Sequence, residues 1–358
     1  MKCACQSGSR QLQLHFKDAK RELNEDLAEL PHWSRTGEKA WSVEVGGNSS
    51  YRTPGDIANF MSAFLADEFL ENFECCWEDD SVNGCCQVGQ TRCAHPPQPR
   101  QKLADFAAQT SSPLLEILRS SRIYSHFQPV FERDATTIWG YECLMRATDP
   151  EGKPVSPAQL LEWARAENLL SMLDRVCRET HLRNAASTLP RGTRILINFM
   201  PTAIYEPAFC LRSTLRVIEK LKLDPARVVF EVVESEEVKD EDHLRKILDY
   251  YRKAGFMTAL DDLGAGSSGL GLLASLSPDL IKLDRHLVTK AALNKNYAAV
   301  VRGLAQIARD CGQLILAEGI ETADELRVMG ELGIDLFQGF YLARPSAKPP
   351  RSACLPTG

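Results

Sequence analysis

Residues 123–146 read IYSHFQPVFERDATTIWGYECLMR. Two β-rich runs, IYSHFQPVF and WGYECLMR, flank a polar stretch, ERDATT, that is too brief for a parallel crossover, so the two strands pair antiparallel. Six further runs follow: RILINFM, VVFEVVE, FMTALDD, LIKLD, LILAEG and LFQGFYL. Helix-length segments such as PAQLLEWARAENLLSMLDRVCRETHL and HLRKILDYYRKAG separate them, as right-handed β-α-β units require. Eight strands with one reversed predict an α/β fold, a TIM-like (β/α)8 barrel with one antiparallel strand, over residues 120–346.

Upstream of the barrel the composition changes. Seven of the twelve cysteines (Cys3, Cys5, Cys75, Cys76, Cys85, Cys86 and Cys93) fall before residue 94, and Pro96, Pro97 and Pro99 then mark a linker. The expected organisation is a small Cys-rich regulatory or sensory segment at 1–93, a Pro-containing linker and helix at 94–119, the barrel, and a disordered tail at 347–358. Within the first segment Ile57, Phe60, Met61, Phe64, Leu65 and Phe69 recur at helical spacing, the pattern of an amphipathic helix. At 358 residues the chain has room for one barrel-sized domain and a smaller one. Its 44% hydrophobic and 25% charged residues are ordinary globular usage, and a net charge of -6 argues against binding long nucleic acid. No export core in MKCACQSGSRQLQLHFKDAK and no apolar run of membrane-spanning length are found, which predicts a cytoplasmic protein with reduced thiols and no membrane contact.

Acidic and amide residues stand at the ends of the barrel strands: Glu142, Asn198, Glu231, Asp261 with Asp262, Glu318 and Gln338. Barrel enzymes build their sites at the C-terminal ends of the parallel strands, where most of these residues lie. Each alone would be read as a surface or salt-bridged carboxylate, but a set of charges interrupting apolar strands costs several kcal/mol unless something pairs them. A hard divalent cation such as Mg²⁺ or Mn²⁺ takes oxygen ligands, and two ions about 3.5 to 4 Å apart can activate a water and clamp a phosphate during in-line displacement. Phosphodiester hydrolysis is therefore the first reaction to consider. The stretch LGAGSSG after Asp262 supplies a glycine-rich loop over that site.

Eight motifs in order, FQPV, ECLMR, INFMP, EVVES, DDLGAG, IKLD, AEGIET and QGFYLARP, resemble the EAL-domain phosphodiesterases, which open cyclic di-GMP to linear pGpG. The resemblance covers roughly residues 120 to 346. It implies that Glu142, Asn198, Glu231 and Asp261 hold one Mg²⁺ or Mn²⁺ ion and that Asp261 with Asp262 holds a second. It implies catalytic roles for Asp261, Glu318 and Lys282, the lysine lying beside the attacked phosphate, where residue reading alone would make it a snorkelling strand lysine. Glu318 and Gln338 would touch metal or its water, and Gln128, Leu144 and Arg146 would contact the nucleotide, Arg146 through a phosphate. Glu234 would anchor the loop after the paired aspartates and couple it to a homodimer contact, while Asp284 and Glu321 would orient the inner groups.

Departures from the family pattern matter too. The name-giving Glu-Ala-Leu reads Glu142-Cys143-Leu144, one small residue for another. The loop at 263–269 lacks the phenylalanine and tyrosine that the family usually has there, which keeps open a catalytically silent cyclic di-GMP receptor signalling through the N-terminal segment. A barrel serving only as a protein-interaction scaffold would leave the full ligand set unexplained. There is no GGDEF-type sequence, so synthesis of cyclic di-GMP is not expected. The N-terminal cysteines with His95 could assemble a Cys₄ or Cys₃His Zn²⁺ site or respond to redox, yet none shows the two-residue spacing of zinc knuckles, and unliganded thiols are the default. Cys143, Cys177, Cys210 and Cys311 sit in apolar contexts and are expected as small core residues.

Overall fold

A computed structural model of the chain describes residues 112–353 apart from 168, 205–206, 234–240 and 264–268, together with the backbone of five earlier strands. The chain divides into two compact units, Met1–Glu116 with Trp163–Met172, and Ile117–Glu162 with Leu173–Gly358. In the first, strands Arg10–Phe16, Trp33–Gly37, Ala40–Val45, Phe73–Trp77 and Gln101–Lys102 form an antiparallel sheet with Arg10–Phe16 at its centre. No sheet is expected from the cysteine pattern, yet QLQLHF and AWSVEV alternate polar and apolar residues with the period of two that a half-covered strand requires. Cys75 and Cys76 lie on Phe73–Trp77. Cys3, Cys5, Cys85, Cys86, Cys93, His95, Cys354, Glu234, the loop at 264–268 and the helix expected over 57–69 fall outside the described residues.

The second unit is the barrel, closed by strands β1 (Ile123–Glu132), β2 (Ile138–Thr148), β3 (Arg194–Phe199), β4 (Val228–Val233), β5 (Met257–Leu263), β6 (Leu280–Leu283), β7 (Leu314–Ala317) and β8 (Leu336–Phe337). Strands β2 to β8 run parallel in succession, and β1 closes the ring antiparallel to both β2 and β8, the single reversed strand that the short ERDATT connection demands. Helices α1 (Leu170–Thr188), α2 (Arg212–Leu221), α3 (Glu241–Lys253), α4 (Gly269–Leu276), α5 (Arg285–Leu293), α6 (Lys295–Asp310) and α7 (Ala323–Leu332) fill the crossovers. Local signals set their ends: Asp284 caps α5, and Thr322 with Glu325 makes a reciprocal capping box at α7, which stops at Gly333 in left-handed backbone.

Strand alternation sorts residues into two cores. Outward-facing residues pack under the helices, as where Phe230 stacks on Tyr251 of α3 with ring centroids 4.0 Å apart and Phe199 and Phe256 meet the pair edge-on. Inward-facing Val130, Trp139, Leu196, Val229, Ala259, Leu280, Leu316 and Leu336 form an apolar plug inside the barrel. Two residues beyond the plug on six successive strands come Asn198, Glu231, Asp261, Lys282, Glu318 and Gln338. A period of two places all six in the next inward layer, facing the mouth.

Two runs expected as longer strands stop early. β7 ends at Ala317 and β8 at Phe337, because the chain then turns and ties its two ends together: Ile320 N donates to Gln338 O at 3.0 Å and Tyr341 N to Ile320 O at 3.0 Å. Cys143 and Cys177 are buried as expected, but Cys311 is exposed. It follows the last turn of α6, where the helix ends, and so leaves the apolar face its sequence context suggested. Among the described residues no helix is long and apolar enough to cross a membrane.

Candidate functional site

Lys282 projects from β6 into the centre of the inner layer and is 1% exposed. Its Nζ lies 2.8 Å from Glu318 Oε1, 3.0 Å from Glu231 Oε1, 3.0 Å from Asp261 Oδ2 and 3.9 Å from Glu142 Oε1. Four carboxylates thus converge on one ammonium. Two amides steady the remaining side of Glu142, which accepts from Asn198 Nδ2 on Oε1 and from Gln338 Nε2 on Oε2, each at 3.0 Å. An amide engaged through its nitrogen presents its carbonyl oxygen as the remaining ligand atom.

Asp261 and Asp262 are neighbours on β5, and regular alternation would send them to opposite faces. The strand breaks that rule. Its register against β6 shifts between Leu260 and Leu263, and Asp262 takes a left-handed φ of 58°, a bulge that re-aims its side chain. The Asp262 amide donates to Asp261 Oδ1 at 2.9 Å, and carboxylate oxygens of Asp261, Asp262 and Glu318 come within 4.8 Å of one another. The consecutive aspartates therefore serve one site by virtue of a local irregularity.

The electrostatics are those of a site built around cations. Burial pushes Glu318 up to about 8, opposed by Lys282 and reinforced by Asp261 and Glu142. Burial likewise raises Glu231 well above the ordinary carboxylate range against the pull of Lys282, and raises Asp262 with help from Asp261. Desolvation alone would lower Lys282, but Asp261, Glu142, Glu231 and Glu318 together carry it well above its usual value. One ammonium cannot neutralise so many carboxylates, and both oxygens of the fully buried Glu231 lack a hydrogen-bond donor in good geometry. Oxygen ligands held at close range and short of positive charge fit hard divalent cations.

The remaining expected residues are placed as follows. Gln128 is buried on β1 directly opposite Glu142, Leu144 is opposite His126, and Arg146 is opposite Tyr124, which puts all six on the inner face of the β1–β2 hairpin. The opposite parity faces outward, because Ser125 Oγ meets His181 Nδ1 of α1 at 2.7 Å and Met145 contacts Cys177 of the same helix. Asp284 spends its carboxylate on the amides of His286 and Leu287, and Glu321 pairs with Arg285. These two shape the α5 start and its neighbouring turn, at one remove from the ligand set. Sequence reading overlooked Tyr124 and His126, although both share the parity of Gln128. It also overlooked Asp174 on α1, whose carboxylate accepts from Met200 N at 2.9 Å and from buried Arg178 Nε at 2.8 Å, bracing the turn just after Asn198.

A family model described as the EAL domain matches residues 112–345. Among curated proteins, the chain is 31% identical over 239 residues to the probable cyclic di-GMP phosphodiesterase PdeG of Escherichia coli K12, covering 64% of this chain and 46% of that protein. It is 27% identical over 221 residues to the cyclic di-GMP phosphodiesterase PdeL of the same organism, 61% of each. The chain spans about half the length of PdeG and, at 45%, of PdeN. Among solved structures, a standalone EAL protein of Vibrio cholerae O395 in its c-di-GMP-bound form superposes with a TM-score of 0.58 at 30% identity, over 64% of this chain and 95% of that one. The manganese and cyclic di-GMP complex of Klebsiella pneumoniae BlrP1 gives 0.60 at 29% identity, over 65% and 58%.

Proposed function

The chain belongs to the EAL domain family, and from that premise we propose that it hydrolyses cyclic di-GMP to linear pGpG with two divalent cations, Mg²⁺ or Mn²⁺. The observation that carries the reading is the inner layer itself: Glu142, Glu231, Asp261 and Glu318 around Lys282, with Asp262 brought in by the β5 bulge. Glu142, Asn198, Glu231 and Asp261 would hold one ion, Asp261 and Asp262 the other, with Glu318 and Gln338 at their edge. When bound, such ions supply Lewis acidity toward phosphoryl oxygens and lower the pKa of water. Lys282 contributes a fixed ammonium, held charged by its carboxylates, against negative charge that develops on the phosphate. Arg146 on the inner face offers a guanidinium to a phosphate nearer the mouth, and Gln128 an amide to the nucleotide. Homodimer formation, a cytoplasmic setting and a regulatory role for the cysteine-rich segment complete the reading.

Chromatography of cyclic di-GMP incubated with the full chain and Mn²⁺ or Mg²⁺ tests it. The expected result is conversion to pGpG that a chelator abolishes and that Glu142→Ala reduces at least a hundredfold with the fold intact. Tight nucleotide binding without product would replace the enzyme by a silent receptor. Undiminished turnover in Glu142→Ala would sink the metal assignment.

A further inference from the structure

The inner face of the β1–β2 hairpin is a ladder of cross-strand pairs: Gln128 with Glu142 beside the carboxylate cluster, His126 with Leu144, then Tyr124 with Arg146 at the mouth. Residues directly opposite in an antiparallel pair have Cβ atoms about 5 Å apart, and each two-residue step advances about 6.8 Å, so the outer rung lies about 14 Å from the inner one. Both ends of the ladder are fixed by chemistry already described: metal-binding carboxylates within, a guanidinium without. What lies between and beside them is aromatic. Tyr124 and His126 are half-buried, their ring centroids 5.7 Å apart and their planes tilted by 57°, and the outward parity of Ser125 against α1 sets both residues on the inward side of the hairpin.

We propose that Tyr124 and His126 form a stacking shelf for a purine base of the nucleotide whose phosphate Arg146 binds, making them substrate-binding residues of this site. The inference rests on the nucleotide reading above. A phosphate placed at Arg146 leaves its attached base to settle on the adjacent surface, and that surface offers aromatic faces. Stacking is tolerant of base orientation and suits a ligand that presents two identical bases, while Arg146 fixes position through charge. Leu144 supplies the apolar floor opposite His126.

Steady-state kinetics of the full chain with Mn²⁺ test the shelf, using cyclic di-GMP beside methyl p-nitrophenyl phosphate, a phosphodiester without a purine and too short to reach the outer rung. Tyr124→Ala and His126→Ala are each expected to raise KM for cyclic di-GMP about tenfold, the loss typical of one stacked base, with kcat within about twofold. Hydrolysis of the short diester should be unchanged, and Tyr124→Phe, which keeps the ring, should restore the parent KM. Unchanged KM in both alanine variants, or parallel loss on both substrates, overturns the proposal, the second by showing a structural role. Should the parent bind cyclic di-GMP without turning it over, the enzymatic reading fails by itself, and calorimetric Kd then decides the shelf: a tenfold weakening in the alanine variants supports it, equal Kd overturns it. A parent that neither hydrolyses nor binds cyclic di-GMP overturns both.

Discussion

At the scale of single residues, the dominant fact is a lysine at 1% exposure surrounded by acids. Removing one partner of a buried ionic cluster leaves uncompensated charge and typically costs 3 to 5 kcal/mol. Lys282→Met is therefore expected to lose about 3 kcal/mol of stability in chelator by urea denaturation, with part of the loss recovered in Mn²⁺. A variant as stable as the parent in chelator would mean that the carboxylates are neutral without the lysine. His181 offers a second test, far from the ligand set. Burial against Ser125 depresses its pKa from 6.5 to about 4. The sign follows directly: between those values the unfolded chain binds the proton and the folded one does not, so stability falls as pH drops through that window. Linkage gives about 2 kcal/mol lost between pH 7 and pH 5 from this group. The parent should lose that much more than His181→Asn over the same interval, and equal acid sensitivity of the two would dismiss the assignment.

Elements reveal why short sequence motifs need local geometry to work. The bulge in β5 is what lets consecutive aspartates share a site, and the early end of β8 is what hands Gln338 to Glu142. Gly339, next in the chain, runs so close to Ile320 that a Cβ there would collide with its backbone N, C and O atoms. The neighbour is backbone and cannot give way. Gly339→Ala should accordingly destabilise the barrel by about 3 kcal/mol, the upper part of the range for overpacking, read as a lowered thermal midpoint. A midpoint within a degree of the parent would show that the β7 and β8 turns can separate. Gln128 and Glu142 illustrate the opposite case, where plain alternation and register suffice to bring two residues face to face.

For the whole molecule, closure of the ring collects side chains from strands as far apart in sequence as Glu142 and Gln338, which meet at 3.0 Å. Because unfolding scatters that ligand set, any cation that it binds must stabilise the fold, by about 2.7 kcal/mol at a free concentration one hundred times Kd. Mn²⁺ added to chelator-treated protein should raise the unfolding midpoint of the barrel, and the rise should vanish in Asp261→Asn. No shift in the parent at millimolar Mn²⁺ would rule out a built cation site. Much of this was legible in the chain: the strand count and the polar residue two positions past the plug on six successive strands follow from a period of two, and the reversed first strand follows from the short ERDATT connection, both local properties of sequence. The same alternation in QLQLHF and AWSVEV marked strands that the cysteine spacing obscured. Family resemblance, carried by eight motifs in order, proposed which of the polar residues would hold metal. Three-dimensional structure alone decided how those groups meet. The bulge at Asp262, the tie between Ile320 and Gln338, and the meeting of Glu142 with Gln338 depend on register between strands separated by whole crossovers. Spacing within one strand says which face a residue takes; which residue it then opposes is settled only when the ring closes.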